Sequence, residues 1–143
     1  MDELLAFFEK YMAAVNARDE DAFDACFHPP VVAMMAPAHD EQGVGQSLLT
    51  ISEPKILLNL LPEHWSRSTV DSVVALDAAV PFSDQALLEG PELYRRGLVT
   101  TFTRWNREGR AYERLQFLYL LTRQDGGLGI KLASELAKVS LRG

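Results

Sequence analysis

The stretch from Ala111 to Arg123 is apolar on both faces of a strand, and this limits what the chain can fold into. At a period of two, Leu115, Phe117, Tyr119 and Leu121 share one face, while Leu118 and Leu120, with Gln116, share the other. A strand greasy on two sides needs cover on two sides. Helices of the same chain can supply one cover. The expectation for the other is self-association through the sheet as a symmetric homodimer; the competing cover is the N-terminal hairpin.

The rest of the chain supplies the helices and the remaining strands. Leu4, Leu5, Phe8, Tyr11, Met12 and Val15 fall on one stripe at 3.6 residues per turn, which predicts an amphipathic helix over 4–15 with Asp2 as its N-cap. Asn16 to Asp19 reads as a turn. A shorter helix over 20–27 follows, with Ala22, Phe23, Cys26 and Phe27 inward, and Pro29-Pro30 ends it. Val31 to Met35 reads as a strand, Pro37 to Gly43 as a turn and Val44 to Ile51 as a returning strand. Ser52, with Pro54 in the first turn, opens a third helix whose apolar face is Ile56, Leu57, Leu60 and Leu61, and Pro62 interrupts it.

From Thr69 the period changes from 3.6 to two. Val70, Val74, Leu76, Ala78 and Val80 then share one strand face, opposite Asp71 and Asp77. After an irregular connection over 81–91, strands are expected over 95–105, 111–123 and 128–136. Asn106 to Arg110 and Gln124 to Gly127 are the hairpin turns between them. Helices gathered on one side of such a sheet make a single α+β domain spanning 1–143.

Composition narrows the function classes. The 143 residues are 48% hydrophobic and 24% charged, the balance of a folded globule. One cysteine leaves no internal disulfide framework. No apolar run approaches the ~20 residues of a membrane span, and Met1 to Leu5 lacks the basic start of a secretory signal, so a cytoplasmic protein with no membrane partner is expected. A net charge of −6 argues against non-specific nucleic-acid binding. Residues 1–90 carry −11 and residues 91–143 carry +5, which reads as acidic helices packed on arginine-bearing strands.

The order of elements, together with Leu98 to Arg104, Asn106-Arg107-Glu108-Gly109, Leu118 to Arg123 and Asp125-Gly126-Gly127-Leu128-Gly129-Ile130, resembles the NTF2-like (SnoaL-like) superfamily. Leu128 stands where its members commonly carry tryptophan, and Gly129 where a basic residue is frequent. The resemblance implies an NTF2-like cone: three N-terminal helices packed on a strongly curved, mostly antiparallel sheet that encloses an apolar pocket, commonly as a homodimer. The superfamily includes isomerases, hydrolases, dehydratases, cyclases, transport factors and members without known activity, so fold does not select a reaction.

Arg104 and Arg114 lie among apolar strand residues, where a guanidinium reaches an anionic ligand, a carboxylate such as Asp71, or solvent. The acid that the superfamily's epoxide hydrolases place two residues after the arginine is Asn106 here. Tyr11, Tyr94, Tyr112 and Tyr119 supply phenols of the kind its steroid isomerases use, but no carboxylate stands in an apolar strand context. His28, His39 and His64 are dispersed and match no metal motif, so neither metal nor cofactor is expected. Cys26 reads as a small core residue, Gly43-Val44-Gly45 as a turn, and Trp65 and Trp105 as packing residues. The expected ligand site is a pocket for a small apolar or amphipathic molecule lined by Phe8, Tyr11, Met35, Leu57, Phe102 and Tyr119, with Arg104 as polar contact. An enzyme would need a carboxylate or histidine in that pocket, and a purely structural dimerisation module would have it filled with Phe and Leu.

Overall fold

The computed structural model describes residues 2–35, 47–76 and 95–141. Helix α1 (Asp2–Ala17) buries Leu4, Phe7, Phe8, Tyr11, Ala14 and Val15. Leu5, expected inside, is 42% exposed, and Phe7 takes its place. At 100° per residue, positions 4, 7, 8, 11 and 15 make the narrower stripe, with Leu5 on its flank. Helix α2 (Glu20–Asp24) is capped by Asp19, whose Oδ1 accepts from the Ala22 amide at 3.1 Å.

Strand β1 (Phe27–Met35) begins earlier than expected and runs through a cis Pro29–Pro30 bond. Its pairing with β6 is interrupted between Phe27 and Val32, so the two prolines sit where no ladder donor is needed. Strand β2 (Ser47–Ile51) pairs antiparallel with β1; the preceding turn and Gly43-Val44-Gly45 lie outside the described residues.

The third helix is not an α-helix. Pro54–Leu60 forms a 3-10 helix that Ser52 does not cap; instead Asp24 Oδ1 accepts from the Lys55 amide at 2.7 Å. Its buried residues are Pro54 and Leu58, with Leu57 and Leu61 half-buried, and the expected Ile56 and Leu60 turn outward.

Strands β3 (Trp65–Leu76), β4 (Arg95–Asn106), β5 (Ala111–Gln124) and β6 (Gly127–Ser140) complete the sheet. Among the described residues it has six strands in the order β2-β1-β6-β5-β4-β3, mixed because β1 and β6 run parallel while the other four pairings are antiparallel. In β3 the register with β4 shifts between Val70 and Ser72, and the bulge reverses the expected facing. Val73 and Ala75 turn to the covered side, while Val74 and Leu76 are 54% and 43% exposed. Ala78 and Val80 fall outside the described residues.

Further shifts lie within β4/β5 and β5/β6. They bend single strands, yet the strands remain one open sheet with β2 and β3 as its edges. The strong curvature expected of it is absent, since closing a sheet requires a stagger shared by every strand.

Both hairpins follow the turn chemistry of their sequences. Asp125 and Gly126 have φ of 51° and 81° in a two-residue loop, the positive-φ pair that suits a right-twisted hairpin. In the other loop, Asn106 Oδ1 accepts from the amides of Glu108 and Arg110, and Gly109 has φ 80°.

Candidate functional site

The covered face of the sheet and the helices above it meet in an aromatic core. Phe8 lies under α1 with its ring centroid 5.2 Å from Tyr119, Tyr11 stands 5.9 Å from both Phe27 and Tyr119, and Phe102 and Phe117 continue the series across β4 and β5. The rings do not fill the space. A cavity of about 90 Å³ remains between α1, α2, the 3-10 helix and the sheet, several times the ~10–15 Å³ that one water needs.

Five of the seven residues expected at the site come together around this cavity: Tyr11, Leu57, Phe102, Arg104 and Tyr119. Phe8 is 1% exposed and packs behind Tyr11 and Tyr119, not on the wall. Met35 ends β1, and its side chain lies outside what the structure describes. The expectation from sequence did not include Phe23, Phe27, Phe117 or Ser68. The first three carried only a core signal. Ser68 lay just before the strand expected from Thr69, and β3 in fact begins at Trp65.

Four polar side chains reach the wall, each held from a different element. Ser68, on β3, is fixed by Asn16 of α1, whose Oδ1 accepts from the Ser68 amide at 2.8 Å and whose Nδ2 donates to the Ser68 carbonyl at 2.9 Å. Its Oγ accepts from the indole nitrogen of buried Trp65 at 3.0 Å. Tyr11 and Tyr119 stand with their rings edge to face, 74° apart in plane. Burial dominates the ionisation of both: the Tyr11 pKa is pushed up to about 12, Tyr119 and Arg104 opposing the rise, and that of Tyr119 goes well above its ordinary value. Both phenols therefore stay protonated at neutral pH.

Arg104, on β4, donates from Nη1 to Glu113 Oε1 at 3.0 Å across the β4–β5 pair, with 19% and 16% of the two side chains exposed. It does not pair with Asp71. That carboxylate sits on the opposite face, accepting from Thr103 Oγ1 at 2.6 Å and lying 3.4 Å from Arg114 Nε. Tyr112 forms the bulge beside Glu113; its hydroxyl is buried near Arg104 without a hydrogen bond of good geometry, its ring meets His64 at 4.5 Å, and burial raises its pKa.

The remaining candidates lie elsewhere. Cys26 is 1% exposed, its Sγ donates to the Ala22 carbonyl at 3.4 Å, and burial pushes its thiol up, which keeps it a poor nucleophile. Trp105 stacks under Arg67 with the guanidinium 4.4 Å from the ring centroid, and its indole donates to Thr69 Oγ1. His28 meets Thr122 Oγ1 at 2.8 Å, and its pKa is lowered by burial and then by Lys131, with Asp125 opposing. His39 and Tyr94 fall outside the described residues. Among the described residues no three His, Cys, Asp or Glu converge as metal ligands, and no helix is long and apolar enough to cross a membrane.

The architecture is that of the NTF2-like fold. The chain superposes on an NTF2-like protein from Cytophaga hutchinsonii with a TM-score of 0.64 at 9% identity, covering 95% of this chain and 96% of that one. Similar matches are ActVI-ORFA from Streptomyces coelicolor, at 0.64 and 13% identity over 94% of each chain, and a scytalone dehydratase homologue from Novosphingobium aromaticivorans, at 0.60 and 11% identity over 100% and 88%. No protein-family model and no curated protein matches the sequence.

Proposed function

We propose that this protein is a homodimer that binds a small apolar or amphipathic molecule in the cavity under α1. The observation carrying the reading is the composition of the wall: four phenylalanines and four leucines, interrupted by four polar side chains on four different elements. Apolar walls with a few convergent polar groups are the usual form of a small-molecule site. Similar chains include a hexachlorocyclohexane dehydrochlorinase, whose name gives a small cyclic substrate. Binding is favoured over catalysis because the titratable groups on the described wall, apart from the Arg104 cation, are two phenols held protonated. They donate hydrogen bonds, and none of the described wall residues is a general base at neutral pH.

Support for the dimer comes from the outer face. Val74, Val99 and Leu118 line up in cross-strand register, and Leu120, Leu132 and Val32 form the adjacent row. All six are half-exposed or exposed in the single chain. A patch of this kind at the centre of a sheet is the surface a second copy would cover.

Xenon tests the cavity without presupposing a ligand, because it enters preformed apolar spaces. Crystals pressurised with the gas are expected to show density bounded by Phe23, Phe102 and Phe117. Side chains closing that volume, with no xenon in it, would remove the binding reading and leave a structural module.

A further inference from the structure

Among the described residues β3 is an edge of the sheet, and an edge strand offers every second amide and carbonyl to any strand that comes alongside. Ser68 shows where those groups point. It stands opposite Arg104 in the register with β4, yet its N–H and C=O turn away from β4, and Asn16 of α1 takes both. The Asn16 carboxamide accepts at 2.8 Å and donates at 2.9 Å, the two bonds that a residue of a further antiparallel strand would make. The same end of α1 is held to β3 at a second point. Arg18, just past the helix with φ 51°, sets its guanidinium 5.2 Å from the Trp65 ring centroid.

The edge that Asn16 occupies is complementary to itself. Opposed residues of an antiparallel pair alternate between bonded and non-bonded, so Val70, opposite Phe102 and two positions beyond Ser68, presents its backbone to the same edge. Register shifts between Trp65 and Arg67 and between Val70 and Ser72 bound this run. Antiparallel pairing of two β3 strands about Thr69 would set Ser68 against Val70 of the second copy, bonded in both directions. The next opposed pair is Arg67 against Asp71 of the second copy, and it occurs twice. Both side chains lie on the face away from the cavity, over Trp105 and Thr103, so opposite charges meet on one side of the joined sheets.

We propose that Asn16 is an autoinhibitory plug, which closes a self-complementary β3 edge and stops two copies of this chain from joining sheet to sheet there. Natural sheets guard exposed edges by covering them or interrupting them, and here one side chain does so at the centre of the run. The surface beneath the plug fits one partner, β3 of a second copy. The plug stands apart from the cavity and from the outer face, and holds for whatever mass the wild type has in solution.

Asn16→Ala removes the plug, and Asn16→Ser, whose hydroxyl cannot make both bonds, is the second variant with the same expectation. The mass of either by sedimentation equilibrium is expected to reach at least about twice that of the wild type at ~100 µM and to fall again on dilution. Adding Arg67→Asp to either sets like charges against each other across the β3 pair and is expected to restore the wild-type mass. In the wild type itself, amide hydrogen exchange at Ser68 is expected to be slowed about a hundredfold relative to an unstructured chain. Folded variants that keep the wild-type mass would overturn the proposal, as would free exchange at Ser68, a measurement that needs no variant to fold. Assembly that Arg67→Asp leaves unchanged, or that does not reverse on dilution, would overturn the pairing of β3 with its copy and the proposal with it.

Discussion

Gly129 has no room for a side chain. A Cβ built there would lie 2.6 Å from the His28 ring, and that ring cannot swing aside freely because Thr122 Oγ1 holds its Nδ1 at 2.8 Å. Lys131 further fixes the segment by donating to the His28 carbonyl at 3.1 Å. Gly129→Ala is therefore expected to destabilise the fold by about 1–3 kcal/mol, the usual range for forced overpacking, with urea unfolding as the check. An unchanged midpoint would show that the imidazole is free to move. In sequence the glycine stood out only as a departure from the basic residue its superfamily often has there, and the histidine that makes it necessary is distant along the chain. Residue-level signals of this kind are invisible until the fold joins the two segments. The cavity's phenols and Arg104 were readable, because polar groups on an apolar helix stripe or strand are conspicuous by pattern; Ser68 was not, because its role depends on Asn16 of α1 and on Trp65 three residues before it in β3.

At the scale of elements, the turns and the long antiparallel strands follow directly from local chemistry. Asp125-Gly126 is a two-residue connection in which both residues need positive φ, and alternating apolar residues flank it. Gly126 has open space around a built Cβ, so Gly126→Ala strains the backbone at φ 81° without a clash. A loss of about 1 kcal/mol is expected, measured by thermal unfolding; a stabilised variant would contradict the turn assignment. The elements that differ from expectation share a different cause. Residues 54–60 carry a helical apolar pattern, but the proline start and the Asp24 carboxylate on the Lys55 amide accompany a tighter 3-10 turn that changes which leucines face inward. The bulge at Asp71 similarly reverses β3 beyond it, because one extra residue exchanges the two faces of a strand. A bulge has no composition of its own; Asp71 is drawn to Thr103 and Arg114, contacts set by the register of β4 and β5.

For the whole molecule, the sheet has two different apolar faces. One lies beneath α1 and the 3-10 helix with residues such as Leu98, Leu121 and Ile130 wholly buried, and it lines one side of the cavity. The other carries the cross-strand rows through Leu118 and Leu120, which remain half-exposed in a single chain. The hydrophobic effect scales with apolar area left in water, roughly 25 cal/mol per Å², so a central outer face of leucines and valines favours association. The alternation that showed both faces of β5 to be apolar was legible from residues 115–121 alone. What covers the outer face was not, because an alternating pattern records that a face is apolar and not what lies against it. The direct measurement is the solution mass of the untagged protein at micromolar concentration, by size-exclusion chromatography with light scattering. The account predicts twice the 16.0 kDa of one chain; a species of one chain's mass, stable and soluble, would contradict it.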